Sequence, residues 1–198
     1  MHPKRIFAAG ISNGGTFSYR LACELSDLIA AIGPVAAPDP SIVLDYVSCN
    51  PSRPVPVIGF NGTADPFIPW SGGFGFYSMF DPSVVYPTVP DMMDEVAFRN
   101  GCSDEVEVVY QKGDVTCIAY ENCEDDATVK HCGIDGGGHN WPGAVELCEI
   151  APWACITTED IDASRAIWKF FARHAMPHDD DDDCGDEEDD DKDDDDDD

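Results

Sequence analysis

Gly10-Ile11-Ser12-Asn13-Gly14 is a G-x-S-x-G pentapeptide, and a serine framed in this way can act as a nucleophile when it sits on a tight strand-to-helix turn. The glycines are expected because a Cβ on either side would clash there, leaving the Ser12 hydroxyl to project above a sheet. The backbone N–H of Asn13 would then face a developing oxyanion at the start of the helix. The plainer reading of Ser12 is a helix cap beside a glycine-rich turn. Far along the chain, Gly136-Gly137-Gly138-His139-Asn140-Trp141-Pro142-Gly143 sets a histidine behind three glycines, which let the chain bend closely over a site. Imidazole is the side chain best suited to move a proton at neutral pH. Between these two segments lies Asn61-Gly62-Thr63-Ala64-Asp65-Pro66, where Asp65 can fix the tautomer of an imidazole and stabilise the imidazolium. Asp39, also ahead of a proline, competes for that role, and either aspartate could equally be a turn former. Together Ser12, His139 and Asp65 would perform acyl transfer through an acyl-enzyme that water hydrolyses, with no metal or organic cofactor required.

The elements that must position these groups are legible in the hydrophobic pattern. Arg5 to Ala9 is a short apolar run ending at Gly10, read as a buried strand, and Phe17, Leu21, Cys23 and Leu25 recur at roughly helical spacing after it. Leu28 to Ala37, Val55 to Phe60 and Ala127 to Ile134 read as three more strands. Asp91 to Asn100 is a predicted helix stopped by Gly101. A last helix is expected from about Thr158 to His174, capped by Thr158 or Asp160, with Ile161, Ala166, Ile167, Phe170 and Phe171 on its apolar face. Alternating strands and helices predict an α/β fold, a mostly parallel sheet covered on both faces. In such sheets chemistry collects at the carboxyl ends of strands, where Ser12, Asp65 and His139 each fall.

The 198 residues and 43% hydrophobic content allow one globular unit, here 1–176, followed by an acidic tail, 177–198, expected to be disordered. Asp179 to Asp198 holds 17 acids and one lysine, so it carries −16 of the formal −29. That balance opposes nucleic-acid binding. Asp180, Asp182, Cys184, Gly185 and Asp191 imitate part of a calcium loop, but Cys184 replaces an oxygen ligand and no helices flank the segment, so a true EF-hand is excluded. The tail's sharper reading is loose binding of divalent cations. His174 and His178 are separated by Pro177, which argues against a metal site. The longest apolar stretch, Leu28 to Pro38, is too short to span a membrane, and no signal peptide is seen after Met1. The nine cysteines show neither zinc spacing nor a C-x-x-C pair, so disulfides are expected. Cys148 and Cys155 could close a local loop. Cys102, Cys117, Cys123 and Cys132 would pair among themselves in an order the spacing leaves open, Cys23 reads as a core residue, and Cys184 as a free thiol.

Taken together, Arg5 to Glu24 (RIFAAGISNGGTFSYRLACE), Gly62 to Gly73 (GTADPFIPWSGG), Asn100 to Cys102 (NGC) and Gly136 to Gly143 (GGGHNWPG) resemble the C-terminal part of extracellular esterases of the polyhydroxybutyrate depolymerase-like and feruloyl or acetylxylan esterase-like kind. The resemblance covers residues 4 to 175. It implies an α/β-hydrolase sheet in which Ser12 is nucleophile, Asp65 acid and His139 base, in the serine-acid-histidine order of that fold. Secretion and disulfides are implied as well. Asn61 stands where similar proteins often carry histidine, and Asn61-Gly62-Thr63 makes a glycosylation sequon at an enclosed place. Such proteins begin well upstream, with a signal peptide, the first strands and the loop carrying a second oxyanion N–H. The sequence is therefore expected to be an N-terminally truncated hydrolase whose first strand becomes an apolar sheet edge, and loss of one oxyanion donor costs about 10²- to 10³-fold in turnover.

Trp70, Phe67 and Trp141, near the acid and base in sequence, could line a cleft that stacks an aromatic acyl group or an apolar polyester; core packing is the competing use. The expected partner is an ester substrate from plant cell wall or polyester, with no nucleic acid and no membrane. Two other readings compete: an inactive remnant whose acidic tail binds cations or surfaces, and a different activity of the same trio, such as a peptidase.

Overall fold

The computed structural model describes residues 5–144 and 157–175. Cys148, Cys155, Cys184, His178 and the acidic tail, on which several sequence expectations fall, lie outside them. Six strands form one sheet: β1 (Ile6–Ile11), β2 (Ile29–Val35), β3 (Val57–Gly62), β4 (Val106–Lys112), β5 (Val115–Tyr120) and β6 (Val129–Ile134), in the order β1-β2-β3-β6-β5-β4. The pairs β1–β2, β2–β3 and β3–β6 are parallel, whereas β5 runs antiparallel to both β6 and β4. The sheet is therefore mixed, with a four-stranded parallel portion that carries every candidate catalytic residue.

Helices cover both faces. Side chains alternate along β3, so Val57 joins a cluster with Tyr19 of α1 (Asn13–Glu24) and with Met92, Met93 and Val96 of α3 (Val89–Arg99). Ile58 and Phe60 point the other way and pack with Ile167, Phe170 and Phe171 of α4 (Ala163–Phe171). Coverage of both faces is why β2 and β3 are buried at every position.

Three expectations about helices need correction. In α1 the buried residues are Gly15, Ser18, Tyr19 and Ala22, while Phe17 is 60% exposed. The apolar residues therefore do not mark the inward face. Gly15, Ser18 and Ala22 do, beside the one large residue Tyr19, because the helix lies so close to β2 and the turn after it that a methyl group on Gly15 would come within 2.5 Å of the Ala37 Cβ. The last helix is only nine residues long and is capped by Asp162, which accepts from the Arg165 amide. Thr158 and Asp160 are engaged elsewhere, Thr158 Oγ1 with Asp114 and Asp160 in an ion pair with Lys112 at 2.9 Å. α3 begins at Val89 rather than Asp91, with Thr88 as its cap and a proline in its first turn.

The β4–β5 hairpin is absent from the sequence expectations. Its turn is Gly113-Asp114, with Gly113 at φ +50°, between two runs rich in β-branched residues. β4 is the outer strand, and its exposed Val106, Val108 and Val109 are interleaved with Glu107 and followed by Lys112, charges of the kind that discourage edge-to-edge pairing.

Disulfides join Cys102 to Cys123 and Cys117 to Cys132, which settles the open pairing among those four. Cys23 is not a free core residue but is bonded to Cys49, tying α1 to the segment after α2 (Pro40–Val43). Cys117 and Cys132 are directly opposed in the β5–β6 register. At a sequence separation of 15, that bond contributes about 3 kcal/mol by restricting the unfolded chain.

Candidate active site

Ser12 follows β1, Asp65 follows β3 and His139 follows β6, so all three stand beyond the carboxyl ends of parallel strands. Ser12 is bent into an unusual backbone state, φ 56° and ψ −121°, between the last residue of β1 and the first of α1. Such a state costs a non-glycine residue of order 1–3 kcal/mol and persists only where the surroundings impose it. The Ser12 amide donates to the Val35 carbonyl at 2.9 Å, and its own carbonyl accepts from Thr16 at 2.9 Å, so both backbone neighbours hold the turn.

The glycines of the motif are not equivalent. A methyl group on Gly10 would meet the Gly14 backbone at 2.6 Å, as the sequence argument requires, but one on Gly14 would meet nothing within 4 Å. The second position that must be bare is Gly15. Asn13 is the first residue of α1, and an amide in that position has no intrahelical acceptor. It is thus available to a negative oxygen beside Ser12, at the positive end of the helix.

Asp65 and His139 are brought together. His139 Nδ1 lies 2.9 Å from Asp65 Oδ2. The other carboxylate oxygen, Oδ1, accepts the amides of Phe67 at 2.8 Å and Ile68 at 3.0 Å. The side chain of Asp65 is fully buried, so its charge is met by three donors and fixed in one orientation. This pairing places the Nδ1 proton toward Asp65 and leaves Nε2 as the basic nitrogen. The histidine loop lies across the end of β3, where the Ala64 amide donates to the Gly137 carbonyl at 2.9 Å. Gly62 makes that crossing feasible, since a methyl group there would come within 2.1 Å of the same carbonyl oxygen. Ser12 stands two strand spacings from β3, about 9.6 Å at the sheet level. Its hydroxyl makes no hydrogen bond among the described residues.

Asp39, the competing acid, has a different occupation. Its carboxylate is completely buried, caps α2 by accepting from the Ser41 amide and hydroxyl, and is paired with Arg99 of α3. It faces α3 and makes no bond with His139.

Of the aromatic residues expected near the site, Phe67 meets the His139 ring edge-on at 5.0 Å. Trp70 is stacked on His131 at 5.6 Å and packs against the core, and the Trp141 indole donates to the Ser164 hydroxyl of α4. Sequence reasoning missed a cleft of about 690 Å³ that starts at Asn13, next to Ser12 in the chain, and is lined by Thr16, Phe17, Pro40 and Tyr46 among others, with Ser12, Asp65 and His139 outside its lining. Phe17 and Tyr46 are 60% and 77% exposed there. The only signal in the sequence was their size at positions where the helix and loop could have taken polar residues.

Behind the site, the sequon residue Asn61 is buried and receives His131 Nε2 at 3.1 Å. Burial pushes the His131 pKa down to about 4. The unfolded chain, with an ordinary histidine pKa near 6.5, takes up this proton first. The contribution of a neutral His131 is therefore complete above about pH 6.5 and is lost as the pH falls toward 4, reaching about 2 kcal/mol at pH 5. Urea unfolding at pH 7 and pH 5 is expected to show a loss about 2 kcal/mol smaller in His131→Gln than in the unaltered chain; equal losses would contradict this account.

No protein-family profile matches the chain. It is similar to Feruloyl esterase B of Piromyces equi, with 36% identity over 137 residues, 69% of this chain and 25% of that protein. It is also similar to the putative esterase NocK of Nocardia uniformis subsp. tsuyamanensis, 30% identical over 71% of this chain and 43% of that protein. A third relative is the bifunctional acetylxylan esterase/xylanase XynS20E of Neocallimastix patriciarum, 23% identical over 80% of this chain and 21% of that protein. The chain thus spans less than half the length of each. An acetyl xylan esterase from Aspergillus awamori aligns in structure at a TM-score of 0.46 and 12% identity, over 86% of this chain and 60% of that one. The resemblance carried by the serine, aspartate and histidine motifs is borne out by relatives that are themselves named esterases.

Proposed function

We propose that this relative of proteins named feruloyl and acetylxylan esterases is a serine carboxylic-ester hydrolase of the α/β-hydrolase type. The observation that carries the reading is the His139–Asp65 pair, its carboxylate saturated by backbone amides, standing at the same sheet edge as a serine held at positive φ. His139 Nε2 takes the Ser12 proton as Oγ attacks the ester carbonyl; the negative oxygen is met by the Asn13 N–H; the alcohol leaves with the proton from His139; and water, activated by the same nitrogen, releases the acid. Asp65 holds the ring and stabilises the imidazolium. Phe67, Phe17 and Tyr46 offer rings to an aromatic acyl group or a sugar. Trp70 and Trp141 support the site rather than line it, Trp70 through its stack on His131 and Trp141 through its bond to Ser164. The substrate class is a plant cell-wall ester or an aliphatic polyester. The three disulfides fit an extracellular setting, where thiols stay oxidised.

A fluorophosphonate probe tests the nucleophile directly. One probe per chain is expected, mapped by mass spectrometry to Ser12 and reduced at least a hundredfold in rate by His139→Ala. Labelling at another residue, or none, overturns the mechanism. Turnover of methyl ferulate against p-nitrophenyl acetate and a soluble hydroxybutyrate oligomer then ranks the acyl groups.

A further inference from the structure

A second cavity, of about 570 Å³, lies between α4 and the sheet. Its size falls within the range of small-ligand sites. Ile58 and Lys130, which line it, are register partners near the amino ends of β3 and β6. The candidate catalytic groups follow the carboxyl ends of the same strands, about 13 Å further along. The two sites are therefore separate.

The lining has two chemistries. Ile58, Ala119, Ile161 and Phe170 make an apolar floor and wall, and Lys130, Arg165, Lys169 and Arg173 stand around it. These are four of only eleven Lys and Arg residues in a chain of net charge −29. Elsewhere the cations are used: Arg20 pairs with Glu24, Arg99 with Asp39, Lys112 with Asp160, and Arg53 donates to the Ile29 and Pro54 carbonyls. The four at the cavity have no carboxylate partner among the described residues. Lys130 is half-buried, and both that burial and the neighbouring Arg173 lower its pKa. Burial and Arg173 act in the same direction on His174, which rests on Phe170 at 4.2 Å. Asp126 opposes both on His174, and positive charge is still concentrated against an apolar surface at this end of the cavity. The acids at the opposite end are largely spent: Asp160 holds Lys112 and Asp162 caps α4. Glu159 remains and would turn an anion toward the Lys130–Arg173 end. Against the four cations stand Glu159, Asp162 and the carbonyl end of α4, which presents about half a negative charge, so positive charge remains in excess.

We propose that this cavity binds an apolar organic anion, with the ring or chain on Ile58, Ala119 and Phe170 and the carboxylate between Lys130 and Arg173. Polyaspartate or inorganic anions would leave the apolar floor unused, and a neutral apolar ligand would leave the cations unpaired. The chain's overall negative charge does not prevent binding, because at physiological salt it is screened beyond about 8 Å.

The test uses the full chain at 0.15 M salt, with cinnamate as the probe and cinnamamide as its neutral match. Calorimetry is expected to show saturable binding of cinnamate, weakened at least tenfold in K130Q/R173Q, with cinnamamide at least tenfold weaker on the unaltered chain. A further readout avoids any substitution: saturating cinnamate slows acetylation of Lys130 by an amine-directed reagent at least tenfold, and cinnamamide does not. Absence of saturable binding, equal binding of acid and amide, unchanged affinity in K130Q/R173Q, or unprotected Lys130 overturns the proposal. The last two outcomes with binding retained place cinnamate elsewhere, such as the cleft at Asn13, and leave the esterase reading standing.

Discussion

Ser12→Ala is expected to lower kcat for hydrolysis of p-nitrophenyl acetate by on the order of 10⁴- to 10⁶-fold, the loss seen when the nucleophile of a serine triad is removed. The effect on stability should be within about 0.5 kcal/mol, because alanine keeps the same positive-φ cost and the hydroxyl has no hydrogen-bond partner among the described residues to lose. This separation of activity from stability is what a capping or purely structural serine would not give. His139→Ala should cost a similar factor, and the double substitution little more than either single one, since the two act as a unit. Measured kcat in Ser12→Ala within tenfold of the unaltered chain, at equal folding, removes the nucleophile from the proposal.

The largest expected effect on stability comes from Arg99→Leu, a loss of about 3–5 kcal/mol by urea unfolding. Asp39 is wholly buried and Arg99 supplies its compensating charge, so truncating the arginine leaves a carboxylate in the interior with only Ser41 as donor. Arg99→Leu combined with Asp39→Asn should recover a substantial part, because no unpaired charge is then buried. A cost below about 1 kcal/mol for Arg99→Leu alone would mean that the pair contributes little. The pair also bears on the site. Asp39 caps α2, the Thr16 hydroxyl of α1 donates to the Pro38 carbonyl at 3.3 Å, and the Pro40 and Tyr46 that follow line the cleft at Asn13. The double substitution should therefore raise KM more than it lowers kcat.

The candidate site was legible because each of its residues is advertised by its neighbours. Ser12 is framed by glycine, Asp65 follows a buried strand and precedes proline, and His139 follows three glycines. What the local sequence leaves open, and only the family resemblance assigns, is which aspartate the histidine meets: Asp39 and Asp65 have the same local setting, and the packing of α3, which brings Arg99 to Asp39, separates them. The four parallel strands were legible as apolar runs. The β4–β5 hairpin was not, because β4 is exposed along almost its whole length and so lacks the buried run that marked the others. The inward face of α1 was misread for a related reason: a helix pressed against a sheet buries glycine, serine and alanine, and hydrophobicity is then a poor guide to direction. Cys23 reads as core in the sequence because its partner, Cys49, lies in an irregular segment with no periodic signal.

The crosslinks divide the polypeptide into two covalent territories. Cys23 and Cys49 are the only cysteines before residue 102 and are bonded to each other, so no sulfur tethers the part bearing the serine to the part bearing the imidazole. Only the peptide chain between them does so, and it includes the solvent-facing Phe80 and Val85. A protease nick there would yield two pieces held by noncovalent contacts, the β3–β6 pairing, the Asp39–Arg99 and Asp65–His139 pairs and the packing of α3 and α4 on the sheet, and dilution rather than reducing agent would set the lifetime of the nicked protein.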